Sequence, residues 1–116
     1  MNYKLVIPFI LLILLSNISL AQVGNFSETD SYNWLNKTFV GAGWNKPLID
    51  LSAGVIALLN KGYDVKQGIN NIKANEDPAG CFPKGNCDVK TTAFATRALS
   101  AAGQDTSKER SWLNST

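Results

Sequence analysis

Ala57-Leu58-Leu59-Asn60-Lys61-Gly62-Tyr63-Asp64 returns 41 residues later as Ala98-Leu99-Ser100-Ala101-Ala102-Gly103-Gln104-Asp105. In both copies an apolar helix end runs into a glycine, and an aspartate stands two residues beyond it. Glycine readily takes the left-handed conformation that closes a helix. Aspartate is among the residues that open the next one. The same shift sets Leu48 on Val89 and Ile72 on Leu113. Each unit then reads as helix, Gly-x-Asp turn, helix and loop. A hairpin of about 40 residues is a period at which helical arrays repeat.

Five helices follow from this frame. Thr29-Asp30-Ser31 caps a first helix carrying Tyr32, Trp34, Leu35 and Phe39, which Gly41-Ala42-Gly43 breaks. Pro47 suits the first turn of a second, where its missing N–H costs nothing. Leu48, Leu51, Val55, Leu58 and Leu59 are its apolar stripe. Asp64-Val65-Lys66-Gln67 has capping-box spacing for a third, with Ile69 and Ile72. Residues 75–87 are dense in Pro, Gly and Asn and form a loop. Asp88 caps a fourth helix, with Val89, Thr92, Phe94, Ala95, Ala98, Leu99 and Ala102. Thr106-Ser107-Lys108-Glu109 is a second capping box, opening a fifth with Trp112 and Leu113. Trp34-Leu35-Asn36 and Trp112-Leu113-Asn114 share a tripeptide, which reads as equivalent second helices of successive units. Trp34, Trp44, Phe82, Phe94 and Trp112 are expected in the core.

The N-terminus is an address. Lys4 precedes an apolar run of 11 residues, Leu5 to Leu15, with small residues at Ser19 and Ala21. A bilayer-spanning helix needs about 20 apolar residues, so residues 1–21 read as a signal peptide cleaved after Ala21. The alternative is an uncleaved membrane anchor. Residues 22–31 are a polar, flexible lead, and 32–116 carry the repeats. The destination is secreted or cell-surface, with only transient membrane contact.

Composition removes much chemistry. The 116 residues hold 11 Lys and Arg, 9 Asp and Glu, and no histidine, for a net charge of +2. Histidine-dependent triads and His-ligated metals are excluded. Lys37, Lys46, Lys61, Lys66, Lys73, Lys84 and Lys90 are scattered among acids, so no nucleic-acid partner is expected. Cys81 and Cys87 are expected to form a disulfide, permitted in an exported chain. Closing so short a loop contributes about 2 kcal/mol in the chain-entropy model. Glu76-Asp77 with Pro78 reads as a turn-holding pair, not as a general acid. Asn25-Phe26-Ser27, Asn36-Lys37-Thr38 and Asn114-Ser115-Thr116 match the glycosylation acceptor pattern.

Glu76-Asp77-Pro78-Ala79-Gly80-Cys81-Phe82 has the spacing of a Gln, three residues, a Gly, one residue and a Trp, with Glu for Gln and Phe for Trp. With the CDVKTTAFATRALSAAGQD stretch behind it, residues 32–116 resemble the repeat of the α/α-toroid superfamily. That group holds squalene–hopene and other terpenoid cyclases, protein prenyltransferase β subunits, and the thioester domains of alpha-macroglobulin and complement proteins. Phe39 to Trp44 is a looser copy, with the Gly and the Trp but another spacing. The resemblance implies an all-α fold of helical hairpins forming part of an α/α toroid. It also implies that, of the repeat motif Glu76, Gly80 and Phe82, the Gly80 and Phe82 pair pins a loop to the next inner helix, with Ala93, Ala95, Ala98, Ala101 and Ala102 letting helices approach closely.

The activities of the superfamily lack their residues here. There is no Asp-x-Asp-Asp acid, no Asp/Cys/His zinc set and no Cys-Gly-Glu-Gln thioester run. No catalytic, cofactor or metal residue is assigned. The expected function is an exported, non-catalytic binding module, touching another protein or a second copy through unpaired helical faces. The alternative is a truncated piece of a terpenoid-cyclase-like enzyme whose acid lies elsewhere.

Overall fold

Five α-helices and no strand make up the described residues, 27–116, of the computed structural model: α1 Glu28–Gly41, α2 Leu48–Asn60, α3 Lys66–Ala74, α4 Val89–Ala101 and α5 Ser107–Asn114. The expected signal segment, its cleavage point and Asn25 lie outside these residues. Tyr32–Thr116 form one compact unit, and Ser27–Ser31 belong to the segment before it. Within that segment Ser27, not Thr29 to Ser31, starts α1: its Oγ accepts the Asp30 N–H at 3.2 Å. The lead read as 22–31 is therefore helical from Glu28. No described helix is long and apolar enough to cross a membrane.

The 41-residue register holds in the backbone. α2 and α4 both run 13 residues, and Leu48 and Val89, their first residues, are 41 apart. α3 and α5 start at Lys66 and Ser107, again 41 apart. The turns repeat bond for bond. Gly62 and Gly103 sit at φ +79° and +76°. The N–H of Tyr63 donates to Leu58 O (3.1 Å), and that of Gln104 to Leu99 O (2.9 Å). Lys66 N–H donates to Asp64 Oδ1 and Ser107 N–H to Asp105 Oδ1, each at 3.0 Å.

These caps correct the expected boxes. Asp64 and Asp105 satisfy donors two residues on. Val65 and Thr106, the residues at the helix boundary, make no side-chain cap and are buried. Pro47 stands just ahead of α2 and not inside it.

The core explains the pairing. α2 packs most extensively on α4; α3 packs on both, and α5 on α4. Leu51, Val55 and Leu58 of α2 meet Ile72 of α3 and Ala95, Ala98 and Leu99 of α4 in one buried cluster, with Phe39, Trp44, Val65 and Phe82. Burying a Leu, Ile, Val or Phe contributes about 1.5–3 kcal/mol each. Ala95 and Ala98 are the close-approach residues; Ala93 and Ala101 face solvent and Ala102 is half-buried, which corrects three of the five. Trp34 is 67% exposed, and Phe94 and Trp112 are half-buried, so of the expected core aromatics only Trp44 and Phe82 are fully enclosed. Two 41-residue steps back from Trp112 reach Asp30, so the WLN tripeptide at 34–36 is one turn out of register.

α2 and α4 are each preceded by a loop that reaches forward. Trp44, at φ +60°, is held there by its N–H to Phe39 O (2.8 Å). A non-glycine residue in this region costs about 1–3 kcal/mol, offset by an indole seated on α3 and 5.3 Å from the Phe39 ring. The Asn71 side chain donates to the Gly43 and Trp44 carbonyls (3.3 and 3.2 Å) and ties the same loop down.

Candidate functional site

The 75–88 loop is the second such segment, and it is densely hydrogen-bonded. Asp77 organises it. Its N–H donates to Cys81 O (2.8 Å) and its carbonyl accepts from Gly80 (2.9 Å). Its Oδ1 accepts from Ala79 N–H (3.0 Å) and its Oδ2 from Gly85 N–H (2.9 Å). These backbone donors, Ala79 first and then Gly85, hold its carboxyl below the usual value, because they stabilise the charged form. The neighbouring strands of the loop are joined by Lys84 N–H to Asn75 O at 2.7 Å.

Phe82 anchors the loop to the core. Its side chain is fully buried, and its peptide to Pro83 is cis. Thr92 on α4 explains why the backbone can follow it inward. The buried Thr92 Oγ1 accepts the Phe82 N–H (2.9 Å), and the Phe82 carbonyl accepts the Asp88 N–H (2.8 Å). Asp88 then caps α4 through Thr91 N–H (2.9 Å), as its position foretold, and that donor lowers its pKa. Cys81 and Cys87 lie at disulfide-bonding distance, with Cα atoms 5.5 Å apart.

The three motif residues separate in role. Phe82 fills the core. Gly80, at φ +88°, lies against α5, where a Cβ would come within 3.0 Å of the Lys108 carbonyl oxygen. Glu76 does not cap or hold the turn as expected; Asp77 does that alone. The Glu109 charge instead acts on the Glu76 carboxyl. Burial, and then the Glu109 charge, raise its pKa, while Lys108 and Lys73 oppose the rise.

Glu109 was expected to close a capping box with Thr106. It is 4% exposed, and its Oε2 has no hydrogen-bond partner. Thr96 Oγ1 is buried and unpartnered in the same way. The signal that finds both is the register itself: Glu109 stands on Gly68 and Thr96 on Val55. Asp77, Cys81 and Cys87 also converge. The two sulfurs are bonded to each other and both Asp77 oxygens accept backbone N–H groups, so the trio builds a loop and not a metal site.

A groove lies along α3 and the turn that precedes it. About 380 Å³ is lined by Leu59, Tyr63, Val65, Ile69, Lys73 and Gln104, among others, where the two Gly-x-Asp turns lie side by side. Tyr63 and Gln104 are register equivalents, so the groove marks the seam between repeats. No family model, curated protein or solved structure matches this chain.

Proposed function

We propose that this chain is an exported, non-catalytic interaction module of α/α-toroid-like hairpins, and that the 75–88 loop is its contact surface. One observation carries the proposal. The loop is fixed from inside by Asp77, Phe82 and the Cys81–Cys87 pair, yet Pro78, Ala79, Lys84, Gly85 and Asn86 remain exposed. A surface ordered before contact loses little conformational entropy on binding. Export is supported by the composition of residues 1–21, and toroid kinship by the Glu76–Gly80–Phe82 spacing with Phe82 enclosed.

The test is site-specific photo-crosslinking in the producing cell. A crosslinking residue at Asn86 should capture a partner that the same residue at exposed Ala53 does not. Equal labelling at both positions would defeat the proposal. A second reading, a piece of a terpenoid-cyclase-like enzyme, rests on the same spacing. Turnover of a polyprenyl substrate by the purified chain would favour it.

A further inference from the structure

Two glycosylation triplets, Asn36-Lys37-Thr38 and Asn114-Ser115-Thr116, lie among the described residues, and they stand in opposite settings. The acceptor pattern needs the asparagine amide and the hydroxyl two residues on together. The first triplet is inside α1, which runs on to Gly41. Its asparagine is half-buried, and Thr38 Oγ1 donates to the Trp34 carbonyl (2.9 Å). Residues two apart on a helix are turned about 200° from one another, so Asn36 and Thr38 cannot present both groups to one site. Unwinding that stretch would pull Phe39 from its buried seat against Gly54.

The second triplet is at the edge of α5. Asn114 is the last residue of the helix, Ser115 is its C-cap, and all three residues are exposed. Ser115 N–H and Oγ donate to Trp112 O (3.1 and 2.7 Å), and Thr116 N–H and Oγ1 to Leu113 O (3.4 and 2.7 Å). Exposed bonds at a helix end open at little cost, and opening these displaces no fully buried side chain. Freed of that turn, the Asn114 amide and the Thr116 hydroxyl reach one site together. We propose that Asn114 is an N-glycan acceptor of the exported chain and that Asn36 is not. This rests on the export read from residues 1–21. The donor is a lipid-phosphate-linked oligosaccharide, presented by a membrane transferase. The Asn114 amide nitrogen bonds the anomeric carbon of the sugar and gives its proton to a base of the transferase. The bond from that carbon to the lipid phosphate breaks, and the phosphate leaves with the electron pair. A glycan is bulky and belongs on a surface. Asn114 stands about 9 Å along α5 from Lys108, where Gly80 is seated, so glycan and loop take opposite ends of that helix.

Mass spectrometry of the chain purified from its producing cell tests this. Trypsin cleaves after Arg110 and isolates residues 111–116, in which Asn114 is the one asparagine. That peptide should carry a sugar, and the peptide ending at Lys37 should be bare at Asn36. T116A keeps Asn114 and removes only the hydroxyl, so it should abolish the sugar as fully as N114Q does, whereas T116S should retain it. A sugar that survives T116A overturns the proposal, as does one at Asn36. A bare Asn114 also overturns it: on a chain that starts at Gln22 it leaves export standing, and on a chain recovered whole from the cytosol it removes export as well.

Discussion

Trp44 rests on Gly68: a Cβ on that glycine would fall 2.6 Å from the indole. Neither the ring nor its backbone can retreat, since Trp44 is buried and pinned by Asn71. Gly68→Ala should therefore destabilise the chain by about 1–3 kcal/mol, as overpacking does. The gain in helix propensity from Gly to Ala is smaller, about 1 kcal/mol. Urea unfolding followed by tryptophan fluorescence gives the sign directly.

Phe82→Ala empties a fully enclosed site and should cost about 3–5 kcal/mol. Trp34→Ala, on a side chain 67% exposed, should stay within about 0.5 kcal/mol. Paired denaturation curves check the contrast. Equal costs would mean that Trp34 is covered in solution.

Removing the Cys81–Cys87 link by paired serine substitutions should lower stability by about 2 kcal/mol in the chain-entropy model. Far-UV circular dichroism should keep its helical signal, because the link closes a loop and spans no helix. A collapse of that signal would show that the loop is needed for the hairpins to form.

Acid should weaken the fold through Asp77, Asp88 and Asp105. Backbone donors hold Asp77 and Asp88 below their ordinary value, and the Ser107 hydroxyl and then its N–H do so for Asp105. A depressed folded pKa gives stability that is present above the unfolded value of 3.8 and is lost as pH falls through the folded one. Glu76 has the opposite sign. Its raised pKa gives stability that is complete below 4.5 and fades as pH climbs through the folded value. Thermal midpoints against pH should thus decline on the acid side, and D77N should shrink that decline. E76Q should flatten only the loss at higher pH.

The repeat was legible in the chain because Gly62 and Gly103 must close helices, and Asp64 and Asp105 must open them, wherever they fall. α2 was legible for a like reason: Leu51, Val55 and Leu58 return at helical spacing. Trp34 misled because an aromatic ring says nothing about which face of α1 it occupies. Glu109 misled more sharply. Capping-box spacing is a local pattern, whereas here Asp105 takes the Ser107 N–H and the buried Thr106 makes no side-chain cap. That left Glu109 free to turn inward, and only comparison with Gly68 reveals it.

The forward reach of the two loops sets an order for synthesis. Trp44 has no seat until Gly68 has been made, 24 residues later, and Gly80 has none until Lys108, 28 residues later. A growing chain therefore presents α2 with its indole uncovered until α3 emerges. Pausing before Gly68 would hold open an apolar side of the first hairpin, whereas pausing after Ala74 would leave that hairpin sealed by its own loop.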